Sequence, residues 1–106
     1  MFDYSSITAP RDVENACLKH HLIEIFIVPA ELGGRDVPQN LLYVPPAIRV
    51  SKDDATVELL HAVQMGMIEV AIRPEYRGVS LVPSKIIITA ARPGMPPGYQ
   101  RDIEIW

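Results

Sequence analysis

HLIEIFIVPAELGGRDVPQNLLYVPP, residues 21–46, reads as two short strands on either side of a turn-rich loop. Residues 21–28 are rich in β-branched and aromatic side chains and too few for a stable helix. Leu22, Phe26 and Val28 share one face with Glu24, while Ile23, Ile25 and Ile27 share the other. Both faces are largely apolar, which predicts a strand covered on both sides. Pro29 ends it. In the loop that follows, Gly33-Gly34 permit a tight path with positive φ, and Asp36, Pro38 and Asn40 are further turn formers. LLYV (41–44) resumes extended structure until Pro45-Pro46 stops it.

Downstream, Ser51 reads as a helix N-cap with Asp54 in a capping-box-like position. Leu59, Leu60 and Val63 then carry a helical spacing from Asp53 to Met65, and Gly66 is a natural residue just past the helix end. MIEVAIR (67–73) and VSLVPSKIIITA (79–90) alternate as two strands of a hairpin around 74–78. Upstream, Asp12–Leu18 carry only a weak helical pattern after the breaker Pro10. The expected fold class is α+β: a β-hairpin, one central helix, then a second antiparallel hairpin (ββαββ). Residues 1–18 read as an N-terminal extension, 19–92 as the domain, and 93–106 as a Pro/Gly-rich tail with a short terminal strand, DIEIW.

Composition sets the outer bounds. The chain has 106 residues, 48% hydrophobic and 22% charged, which is an ordinary globular mixture and not that of a disordered segment. No apolar run approaches the roughly 20 residues a membrane-spanning helix needs. The start, MFDYSSITAPRDVE, has neither a basic beginning nor an apolar stretch, so no secretory leader and a cytoplasmic location are expected. A single cysteine, Cys17, excludes an internal disulfide and a multi-cysteine metal site. The net charge of −3, with no basic run, argues against a surface built for nucleic-acid phosphates, so nucleic acid is not an expected partner.

Two segments together carry a resemblance. PAELGGRDVPQNLLYVP, with Leu32-Gly33-Gly34, Asp36 and Asn40-Leu41 in order, resembles the core of the DNA/RNA non-specific endonucleases, the ββα-metal or His-Me finger group. IEVAIRPEYRGVSLVPSKIIITA is similar to that family's hairpin after the helix, through Pro74, Tyr76, Gly78, Val82 and Pro83. The resemblance covers roughly residues 21–91 and implies a ββα-metal-nuclease-like fold. It also implies a histidine at the end of the first strand as general base on an attacking water, and a divalent cation held by an Asn on the helix. Counted back from Leu32-Gly33-Gly34, the histidine position is Phe26, and the family's preceding Asp-Arg-Gly is Ile23-Glu24-Ile25. The Asn position falls near Arg49, and no Asn occurs beyond Asn40. A phenyl ring neither accepts a proton nor orients a water. The resemblance therefore implies a degenerate member in which the phosphodiesterase chemistry is lost, with no catalytic residue, no metal and no cofactor.

Other groups offer fallbacks. His20 or His21 at the start of the first strand could act as a displaced base, with Glu24 or Asp36 as ligand to Mg2+, in an active metal-dependent endonuclease of the toxin-domain kind. Adjacent strand residues point to opposite faces, so the two cannot act as a pair. His61 reads as an exposed helical histidine, and Cys17 as a small buried hydrophobe. Gly33, Gly34, Asp36 and Asn40 are expected to brace the loop. Ile103, Ile105 and Trp106 would be costly to leave in water, which favours pairing them with a sheet edge or with a second copy in a homodimer and makes them the expected binding element for a protein partner. Through the resemblance, the leading expectation is a protein-binding pseudoenzyme, an immunity or regulatory partner in a bacterial toxin system. The alternatives are the active nuclease and a structural domain.

Overall fold

The computed structural model describes residues 2–106. Helix α1 (Pro10–Leu18) precedes strands β1 (Ile23–Phe26) and β2 (Leu41–Val44), helix α2 (Ile48–Gln64) and strands β3 (Glu69–Tyr76), β4 (Pro83–Ala91) and β5 (Pro97–Glu104). The fold is α+β: an antiparallel β1–β2 hairpin, the central helix, and an antiparallel sheet in the order β3-β4-β5. In the hairpin, Ile23 lies opposite Val44 and Phe26 opposite Leu41.

Strand β4 is the spine of the molecule. Ile86, Ile88 and Ala90 point to one face and are buried with Ile103 of β5, Ala55, Leu59 and Ala62 of α2, and Ile25, Leu42 and Val44 of the hairpin. Pairing puts Ile86 opposite Ile103, which places an edge residue within the core face. The opposite face is mixed: Lys85 lies 3.6 Å from Asp102 and 3.3 Å from Glu104, while Ile87 and Ala91 on the same face are buried. The two faces follow from the period-2 alternation of strand side chains.

Helix α2 starts five residues before the expected Asp53. Pro45 and Pro46 do end the strand, but their carbonyls accept hydrogen bonds from the amides of Ile48 and Arg49 and so open the helix. Ser51, expected as the cap, lies inside the first turns. At the other end Gly66, with φ of +97°, closes a Schellman motif: its amide bonds to the Val63 carbonyl and that of Met67 to the Ala62 carbonyl.

Residues 2–18 pack. Ile7, Val13, Ala16, Leu22 and Val82 form a second buried cluster, flanked by Phe2, Tyr4, Cys17, Tyr43 and Trp106. Ser80 Oγ donates to the Tyr4 carbonyl at 2.7 Å, and the Leu81 amide donates to the Ile7 carbonyl at 2.7 Å. The β1 segment lies between the two clusters, Leu22 serving one and Ile25 the other. That is why the segment is apolar on both faces although its sheet has only two strands.

The C-terminal segment adds to the sheet edge: residues 102–104 of the expected short strand close the eight-residue β5, which pairs along β4. Ile103 is only 4% exposed, within the main core, and Ile105 packs against that core. Trp106 joins the second cluster, its indole N–H donating to the Val82 carbonyl at 3.1 Å and its ring lying 5.4 Å from the Arg77 guanidinium carbon. These side chains complete the fold of their own chain and are not a free surface for a second copy. No helix among the described residues is long and apolar enough to cross a membrane.

Candidate functional site

The loop between β1 and β2 is held by a few specific groups. The Asn40 side chain bridges its two ends, accepting from the Val28 amide at 2.8 Å and donating to the carbonyls of Val28 and Arg35 at 3.0 Å each. Gly33 has φ of +90° and closes the Ala30–Leu32 turn. At Gly34 a Cβ would sit 1.8 Å from the Val28 carbonyl oxygen, so the backbones approach as closely as only glycine allows. Asp36 is exposed.

This loop frames one wall of a cleft of about 280 Å3. Its lining includes Glu24 and Phe26 from β1, Glu31 from the loop turn, and Arg49, Lys52, Asp53 and Thr56 from one face of α2. The helical spacing 49, 52, 53, 56 puts all four helix residues on one stripe. Phe26 is half-buried at this cleft, beside the polar first half of the helix. Leu59, Leu60 and Val63, farther along α2, do not line the cleft. Ile25, the neighbour that points the other way, is the β1 residue that joins Leu59 in the core.

Phe26, at the position the nuclease resemblance gives to the base, and Arg49, near which it puts the metal ligand, therefore line the same cleft. Neither fits the implied chemistry. A guanidinium has no lone pair to give a cation, and Lys52 adds a second positive charge beside it. Among the described residues no three His, Cys, Asp or Glu side chains form a group that could hold a metal ion.

The fallback histidines are employed elsewhere. His20 has φ of +62° and occupies the left-handed position past the end of α1, where its amide bonds to the Cys17 carbonyl and that of His21 to the Ala16 carbonyl. The His21 ring stacks on Phe2 with centroids 4.3 Å apart. Neither lines the cleft that Glu24 lines. His61 is exposed in the last turn of α2.

A larger groove of about 1050 Å3 adjoins, sharing Glu24 and Arg49 with the cleft. Val13, Cys17, Leu18, Leu22, Tyr43 and Leu81 give it an apolar floor and lips. Burial, and then the nearby Glu24 carboxylate, push the Cys17 thiol up, which keeps it protonated and weakly nucleophilic. Tyr43 donates its O–H to Glu24 at 3.1 Å, and burial together with that bond holds the phenol protonated.

Lys52 is the residue that the sequence reading passed over. It is 5% exposed, yet forms no ion pair among the described residues, and burial lowers its pKa against the weaker opposing pull of Asp53 and Glu31. The signal was present: Lys52 stands in the stripe Ile48, Ala55, Leu59, Ala62 that α2 buries. A helix assumed to begin at Asp53 hides it. Compared with family models, curated proteins and solved structures, the chain matches none.

Proposed function

We propose that this domain is a degenerate relative of the ββα-metal nucleases whose hydrolytic centre has been dismantled, and that it works in the cytoplasm by binding protein, as an immunity or regulatory partner in a bacterial toxin system. One observation carries the reading: Phe26 and Arg49 line a single cleft between the first hairpin and the helix, where the resemblance calls for a proton acceptor and a cation ligand. Both substitutions remove function from the same place, while the features that hold the loop, Gly34 and Asn40, remain built for their task. The formal charge of −3 and the apolar groove beside the cleft favour a protein surface over a polyanion as the thing bound. Leu18, 79% exposed, and Leu81, 39% exposed, stand at the lips of that groove.

The test is degradation of supercoiled plasmid and of a structured RNA with Mg2+ or Mn2+. No cleavage is expected, and none from Phe26→His alone, because the metal ligand that the resemblance puts near Arg49 is also missing. Cleavage that His20→Ala or His21→Ala abolishes would establish the active-nuclease alternative instead.

A further inference from the structure

Lys52 is more than nine-tenths buried and has no ion-pair partner within the described chain. Among the described residues no buried side-chain nitrogen is both unpartnered and sealed from solvent, so the ammonium meets water through the cleft that it lines. An ammonium so enclosed is normally paired in folded proteins. No carboxylate of the described chain comes within ion-pair distance of it, although Asp53 and Glu31 lie near enough to pull on its charge. Arg49, one turn earlier on the same helix face, lines the same cleft.

We propose that this cleft is a socket for one carboxylate presented by a protein partner, an Asp or Glu side chain seated against Lys52 and Arg49 with the Phe26 ring as its apolar wall. The proposal rests on the protein-binding reading above and names the chemistry of the contact. The remaining charges of the cleft decide the class of anion. Glu24 accepts the Tyr43 hydroxyl, and Glu31 and Asp53 are exposed at the rim without an ion pair to Lys52. Their solvated charges tolerate one small anion at the centre and repel a chain of phosphates. At about 280 Å3 the cleft suits a single side chain. A buried charge-assisted bond of this kind is what anchors an interface at its centre.

The experiment uses the intact protein with small probes at constant ionic strength, read by amide and lysine side-chain NMR. Sodium acetate is expected to give saturable shifts at Phe26, Lys52 and Thr56, weakened about tenfold or more in Lys52→Met, the loss expected when a charge-assisted hydrogen bond is removed. Lys85→Met, on the far side of the sheet, should leave them unchanged. Lys52→Met keeps the volume of the side chain and should itself stay folded. Equal shifts from acetamide, tighter binding of a short DNA duplex than of acetate, no saturable shift, or undiminished acetate binding in Lys52→Met would each overturn the socket. None of these outcomes depends on the cleavage assay, so the socket and the loss of hydrolysis fail separately.

Discussion

Three residues show how local chemistry sets the site. Asn40 makes three hydrogen bonds across the loop, each worth about 1 kcal/mol net, so Asn40→Ala should lower stability by about 2–3 kcal/mol in urea unfolding. Gly34→Ala places a methyl group against the Val28 carbonyl. Backbone cannot yield as a flexible side chain would, so the loss should reach about 3 kcal/mol or more. At His20 the sign reverses. A histidine in left-handed backbone past α1 is strained, and His20→Gly should raise stability by about 1 kcal/mol. If the same variant abolished a nucleolytic activity, the residue would have a chemical role that its place in the helix end does not reveal. Glycine and asparagine spacing made this loop readable from sequence. The neighbours of Phe26 were not readable, because strand alternation says which residues share a face but not which helix turn lies beneath that face.

At the scale of elements, what sequence conveyed depended on where the breakers sat. Pro45-Pro46 and Pro96-Pro97-Gly98 read as interruptions. In the first case the prolines open a helix, where their missing N–H groups cost nothing. In the second, β5 is an edge strand, which tolerates both residues, and Gly98 leaves room for Met67 at a place where a Cβ would lie 3.0 Å from its sulfur. The join between α2 and β5 is ionic: Arg101 and Tyr99 both donate to one Glu58 oxygen at 2.8 Å. The Arg101 bond first, and then the Tyr99 bond, hold Glu58 below the usual carboxylate range. A depressed folded-state pKa stabilises above the ordinary carboxylate value of 4.5 and loses that contribution as pH falls through the folded one. Burial and the Glu58 bond push Tyr99 up to about 12, so its contribution is whole below pH 10 and fades as pH rises from there through 12. Melting temperature against pH should therefore fall at both ends, and Glu58→Gln should flatten both limbs. Limbs identical to the wild type would show that the triad contributes nothing.

Across the whole molecule, β1 and β4, each with the residue just before it, tie two clusters into one unit. Leu22 and Val82 serve the smaller, Ile25 and Ile86 the larger, and the last four residues reach both through Ile103, Ile105 and Trp106. Trp106→Ala should cost about 2–3 kcal/mol and loosen residues 2–18, seen as faster amide exchange at Ile7 and Val13. The hairpin–helix–hairpin order was legible because hydrophobic period and turn chemistry agree along it. The second cluster was not, since Phe2, Tyr4 and Trp106 come from opposite ends of the chain and carry no local pattern that pairs them. Cationic side chains of the protein thus stand in the cleft where the nuclease resemblance calls for a bound cation. Paramagnetic broadening by Mn2+ probes that arrangement: weak, unsaturated broadening scattered over exposed carboxylates is expected, whereas saturable broadening concentrated on Phe26, Glu31, Arg49 and Asp53 would reveal a cation site there.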